Sequence, residues 1–270
     1  MRALLASPLG FLIGLSLGAL GGGGSILAVP VLVYVAGQDP KAATATSLFL
    51  VGSAALVGMA GHHRAGRVRV DTGVAFGLSG VGGSLAGTAV NRHVDPDLLL
   101  LAFAGLVVLA AWRMLTACPT CTAVGEQREL ARSDDGIACT RPAIDPRRIL
   151  TVLAAGTAVG FLTGLFGVGG GFVIVPALAL VMKLPMPQAI GTSLLVIAVN
   201  SAVALAARLA TTSIDWAVTA PFTVSAVAGV LAGGRVADRI DATRSLRWFA
   251  ALLVAVAAYT AVDAGLALAG

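Results

Sequence analysis

Charge is what this chain has least of. Asp, Glu, Lys and Arg make up 11% of its 270 residues, against about 25% in an ordinary soluble domain. That excludes a water-soluble globule. With 57% apolar residues and a mean hydropathy of +0.93, the chain reads as an integral membrane protein. Aromatics reach only 5%, and no basic cluster is interleaved with them, so nucleic acid is not a partner. Carboxylates are absent from the centre of every apolar run. Asp39, Asp71, Asp95, Asp97, Asp215, Asp238 and Asp241 lie in or beside predicted loops, and Asp263 lies near the C-terminal end. Acids in mid-membrane mark cation sites and proton relays, so their absence argues against a cation pump.

Cysteine is nearly absent too. Cys118, Cys121 and Cys139 share one hydrophilic stretch. The C-x-x-C spacing is that of a redox or metal site, and Cys139 adds a third potential ligand. No fourth ligand and no His accompanies them, and Pro119 with its flanking Thr residues does not resemble a thioredoxin-type helix start. Three free thiols in a reducing compartment is the reading, with no metal and no cofactor implied. No nucleophile–base constellation appears anywhere, so the chain does not read as an enzyme.

What is present is apolar sequence in long runs: 3–36, 42–61, 72–90, 98–115, 149–182, 188–207, 216–234 and 248–262. Most approach the roughly 20 residues that span hydrocarbon as a helix. The short apolar/polar alternations of a β-barrel are missing. The expected fold is an all-α polytopic membrane protein of about eight segments. The first run, behind Arg2, has the look of a signal peptide. The same pattern returns at 149–182, so the run is expected to stay in the mature fold.

The two halves are copies. GALGGGGSILAVP (18–30) aligns with GLFGVGGGFVIVP (164–176), ATSL (45–48) with GTSL (191–194), and GSLAG (83–87) with GVLAG (229–233), all at one shift of 146 residues. Residues 1–115 and 149–270 are the repeats and 116–148 the linker. Charge orients them. If each long run is one crossing, the repeats are parallel and Lys and Arg split 11 to 7 between the two sides. If each long run enters and returns, the second copy is inverted. One side then gathers Arg64, Arg67, Arg69, six arginines in and beside the linker, Lys183, Arg235, Arg239, Arg244 and Arg247. The split becomes 14 to 4. The positive-inside rule favours the inverted arrangement in the cytoplasmic membrane, with the linker cytoplasmic and both termini outside.

Length agrees. The 34 residues of 3–36 would make a helix of about 51 Å, too long for a core of roughly 30 Å. A break at Gly21, Gly22, Gly23 and Gly24 resolves this as a re-entrant hairpin or a broken helix. Irregular backbone at membrane depth is tolerated only where protein buries it or water reaches it. The glycines are therefore expected to line an internal cavity, and the helix restarts with Ser25 as N-cap or with Pro30 at its first position. Free N–H groups and a positive dipole end would then face the cavity and suit an anion. Gly167, Gly169, Gly170 and Gly171 offer the same in the second copy. Thr46, Ser47, Thr192 and Ser193 follow each Pro by a fixed interval. Their hydroxyls either donate to a substrate or bond back to the preceding turn. Close helix packing is the other use for such glycines. Asn200 reads as interhelical glue, and the repeat-equivalent His62 and Arg208, at span ends, as interfacial anchors, with attraction of anions at the cavity mouths the alternative.

On these duplicated motifs the chain resembles the sulfite exporter TauE/SafE family of membrane transporters. The resemblance covers almost everything outside the linker. It implies movement of sulfite, organosulfonates or related small anions across a bacterial cytoplasmic membrane. Ser25, where the second copy has Gly171, and the cysteine-bearing linker are departures. An anion channel, and a membrane partner for a sulfur-handling enzyme that uses the linker thiols, remain the alternative functions. The lipid bilayer and a small inorganic or organosulfur anion are the expected partners; the sequence sets no oligomeric state.

Overall fold

A computed structural model of the chain describes residues 2–22, 24–38, 40–91, 93, 102, 105–106, 108–109, 112, 146–166, 171–208, 216–237, 251 and 254. These residues form eight α-helices, two π-helical turns and no strand. In chain order they are α1 (Arg2–Leu20), α2 (Ser25–Pro30), a π turn (Val31–Val35), α3 (Pro40–Arg64), α4 (Val70–Asn91), α5 (Pro146–Phe166), α6 (Gly171–Pro176), a second π turn (Ala177–Val181), α7 (Met186–Arg208) and α8 (Trp216–Ala237). Four are long and apolar enough to cross a membrane, at Ala42–Arg64, Val70–Val90, Met186–Ala206 and Trp216–Val236. Pro8–Leu20 and Ile149–Leu165 are shorter apolar helices. The expected segments at 98–115 and 248–262 and the linker at 116–148 lie largely outside the described residues, and Cys118, Cys121 and Cys139 lie wholly so.

The first long run is a hairpin, not a kinked rod. α1 ends at Gly21, which takes the left-handed backbone (φ +80°) that glycine adopts without penalty. Gly24 then packs on the Ile13–Leu17 backbone of α1, where a side chain would overlap the Ile13 carbonyl. Residues eleven apart in one straight helix would stand about 16 Å apart, so the chain has turned back on itself. The second copy returns against α5 in the same way.

Both returning arms widen after their proline. Ala36 N–H donates to Val31 O (3.1 Å) and Met182 N–H to Ala177 O (3.3 Å), five residues back instead of four. Proline lacks the N–H that would continue the α ladder, and a π turn re-pairs the carbonyls around such a gap. Each turn closes on a left-handed residue, Gly37 (φ 70°) and Lys183 (φ 52°). Lys183 carries the side-chain penalty that Gly37 avoids, roughly 1–2 kcal/mol.

The centre of the bundle is α3 against α7. Half of the α3 span and 61% of the α7 span are buried, against 33% for α4 and for α8. Around this pair, α1 packs along α8 and α4 along α5. Glycine makes both outer contacts. A Cβ at Gly14 would overlap the Ala226 carbonyl, and one at Gly18 the Val230 carbonyl. One at Gly160 would overlap the Gly80 carbonyl, and one at Gly164 the Ser84 carbonyl. The second pair of contacts repeats the first with both partners shifted by 146 positions and the halves exchanged. Phe76 and Phe222, offset by the same interval, are both fully buried (1% and 0%). Inside lipid, apolar side chains gain little by leaving their solvent. Close backbone approach and dispersion hold such helices together instead.

Candidate functional site

The first helix break meets the start of α6. A Cβ placed on Gly171 would stand 2.5 Å from Ser25 Oγ and 2.9 Å from Gly22 O. The start of α6 therefore rests directly on the first break. Gly21 is equally close to α7: a Cβ there would lie 2.7 Å from Ser193 Oγ and 3.0 Å from Ile190 Cα. Gly21, Gly22, Ser25, Gly171 and Ser193 thus form one buried cluster in which the break of the first copy touches two elements of the second. Gly23, Gly167, Gly169 and Gly170 lie outside the described residues.

The helix restarts at Ser25, and Pro30 closes α2 instead of opening it. Ser25 does not cap forward: its hydroxyl donates back to Gly22 O at 2.8 Å. Ser47 donates to Thr44 O (2.8 Å) and Ser193 to Ile190 O (2.7 Å), with Gly21 O a further 3.2 Å from Ser193 Oγ. Each hydroxyl has one proton. These three serines spend theirs on backbone carbonyls, which is the back-bonding alternative open at the sequence level. Exchanging such a bond for one to a ligand changes the balance by only about 1 kcal/mol.

The threonines are placed differently. Thr192 is fully buried and its Oγ1 accepts the Arg69 backbone N–H at 3.1 Å. That leaves its own proton to another acceptor. Thr46, also fully buried, receives the Thr219 hydroxyl at 3.4 Å. Arg69 Nε lies 3.4 Å from Gln188 Oε1, one turn before Thr192 on α7. Sequence reasoning missed Arg69, Gln188 and Thr219. Gln188 at four residues before Thr192 shares a helix face with it, which was a usable signal. Thr219 carried none, because its counterpart in the first copy is Gly73.

His62 lies in the last turn of the α3 span, the span-end position expected of it. It is buried (6% exposed) near the end of α3, in the wall of a cavity of about 240 Å³ that Arg67 and Arg235 also line. Arg208 ends α7, and its side chain lies outside the described residues. Asn200 faces Gly77 and Gly80 of α4, an interhelical position as expected.

Comparison with known proteins points to a membrane transporter. The family described as "Sulfite exporter TauE/SafE" matches residues 6–260. The chain is 32% identical over 253 residues to a probable membrane transporter protein of Xylella fastidiosa strain 9a5c, covering 93% of this chain and 91% of that protein. It is 25% identical over 251 residues to the probable membrane transporter protein YunE of Bacillus subtilis strain 168, covering 88% of this chain and 85% of that protein. No solved structure matches. A glycine break inside a helical bundle and a match over nearly the whole length point the same way: the chain belongs to the sulfite exporter TauE/SafE family of membrane transporters.

Proposed function

We propose that this chain carries a small, sulfur-containing anion of the sulfite or organosulfonate type across the cell membrane. The site is built where two inverted copies of one unit meet. The observation that carries the reading is the contact of Gly171 with Ser25 and Gly22. Residues 25 and 171 are counterparts at the 146-residue shift. A residue that touches its own counterpart lies beside the axis relating the copies. Transporters built from inverted repeats hold their substrate at such an axis, between discontinuous helices near the midplane. The exchanged contacts of α1 with α8 and of α4 with α5 support the same axis.

Anion chemistry fits what surrounds it. Gly21, Gly22, Gly23, Gly24 and Ser25, with Gly167, Gly169, Gly170 and Gly171, supply backbone that a ligand can approach closely. Thr46, Ser47, Thr192 and Ser193 supply hydroxyls. Uptake into proteoliposomes tests this. Sulfite flux should saturate, should be stimulated by sulfite on the far side, and should be inhibited by thiosulfate or a sulfonate such as sulfoacetate. A current linear in concentration and voltage would make the chain a channel, and an absence of flux for every sulfur oxyanion would remove the substrate assignment.

The inverted arrangement gains support from the basic residues. The parallel arrangement puts Arg67 and Arg235 on opposite faces, yet both line one cavity. Arg69 likewise reaches Gln188, at the start of the span that follows Lys183. The linker is therefore cytoplasmic in this reading and both termini are external. Reporter fusions at residue 130 and at the C-terminus should report opposite compartments; the same compartment for both would restore the parallel arrangement.

A further inference from the structure

One face of the bundle holds an empty space that its packing does not require. The cavity of about 240 Å³ lies between the ends of α3 and α8, and its lining includes Gly61, His62, Arg67, Gly234 and Arg235. A side chain at Gly61 or at Gly234 would meet nothing within 4 Å. These two glycines differ from those between the helices, because they leave volume open and bring no backbones together. Among the described residues, the lining holds three basic side chains and no carboxylate. Exposure falls from Arg235, which is exposed, through the half-buried Arg67 to the buried His62. Arg235 gives one N–H to Leu231 O at 3.2 Å, out of the five that a guanidinium carries.

Basic residues at helix C-termini compensate the dipole. That accounts for His62, His63 and Arg64 at the end of α3 and for Arg235 at the end of α8. It does not account for Arg67, which lies beyond the end of α3, or for the hollow that these side chains surround. The hollow also abuts the central site. A Cβ on Gly191 would lie 2.6 Å from Arg67 O and 3.1 Å from His62 Cβ, so the cavity wall rests on the residue just before Thr192.

We propose that this cavity binds an oxyanion group between Arg67, Arg235 and His62, and collects the anion on this face of the protein. The collecting role rests on the reading of the chain as an anion transporter; the binding site does not. A cleft lined by one sign of charge raises the local concentration of the opposite sign. Arginine at two sides suits a sulfite, sulfate or phosphate group. The repeat places no equivalent cluster on the opposite face. Counterparts of Arg67 and Arg235 in the other copy are Ser213 and Ala89, and Arg208 alone answers His62. Collection is therefore one-sided. The same oxyanion chemistry has two sources, a free anion and the headgroup of an anionic phospholipid.

Melting of the purified full-length chain in detergent separates them. Sodium sulfate is titrated against sodium chloride at matched ionic strength, and short-chain phosphatidylglycerol against phosphatidylcholine. A ligand that binds the folded state raises the midpoint. Sulfate is expected to raise it, and both Gly234→Leu, which fills the open space, and Arg235→Gln should weaken apparent affinity about tenfold or more. Without ligand both variants should melt as the wild type does. Gly171→Val, at the central break, should leave the sulfate response in place. A response to phosphatidylglycerol alone, lost in Gly234→Leu, assigns the same pocket to a lipid phosphate and overturns the collecting role. No response to either ligand, or a response that both cavity variants keep in full, overturns the site. Absent flux with the sulfate response intact would sink the transporter reading and leave the site standing.

Discussion

Gly171→Val is expected to abolish transport, a loss of at least about a hundredfold, in protein that still inserts and purifies as a single species. The added carbons would enter the space held by Ser25 Oγ and Gly22 O, with Ile197 Cδ1 3.2 Å from the Cβ position. Bulk at this point both fills the proposed ligand space and holds the two breaks apart. Forcing methylenes into a packed site costs about 1–3 kcal/mol, which a stable bundle survives and a site that must admit a ligand does not. The companion variant exchanges the copies. Ser25→Gly combined with Gly171→Ser moves one hydroxyl across the axis and keeps the composition. Its Cβ at position 171 still meets Gly22 O at 2.9 Å while the clash with Ser25 Oγ is gone, so it should transport below wild type but well above Gly171→Val, which adds two further carbons. Flux measured on monodisperse protein decides the matter: a well-folded Gly171→Val that moves sulfite at the wild-type rate removes this contact from the transport pathway.

Gly160→Val should act on the fold itself. Here the Cβ would overlap the Gly80 carbonyl, with Gly80 C and Cα both 2.6 Å away. Every nearby atom is backbone, so no side chain can rotate aside and α4 and α5 must separate. A loss of about 3 kcal/mol or more is expected, the upper end for overpacking. It should appear as a collapse in the yield of monodisperse protein and a large fall in melting temperature. Gly14→Val, the counterpart against Ala226, should do the same. Gly82 supplies the control. It lies on α4 as well, is exposed, and has nothing within 4 Å of its Cβ position. Gly82→Val should stay within about 0.5 kcal/mol of wild type, as surface changes do. Equal stability of Gly160→Val and Gly82→Val would mean that α4 and α5 do not approach through glycine.

Much of this was legible in the chain. The break at Gly21, the short helices at Ser25 and Gly171, and the nearness of the first glycine run to Ser193 could all be read from spacing. The partners could not. In water, an amphipathic stripe tells which face of a helix is buried. In lipid both faces are apolar, so nothing in α1 announces α8 as its mate, although Gly10, Gly14 and Gly18 do mark the contact face. The π turns were equally silent, because a proline in an apolar run says where the ladder breaks but not how it re-pairs. Whether the serines bond back or donate outward depends on a rotamer. His62 looked like an end residue by position, and burial came from α7 and Arg67 lying over it.

The exchange of partners between halves also sets a timetable for synthesis. α4 needs α5, which follows after about 55 residues, a matter of seconds at roughly 5–20 residues per second. α1 needs α8, and almost 200 residues separate Leu20 from Trp216. The glycine face of α1 therefore waits on the order of 10–40 s for its proper neighbour. Over that interval it must rest against lipid or a temporary companion. A segment made early is thus locked in place late.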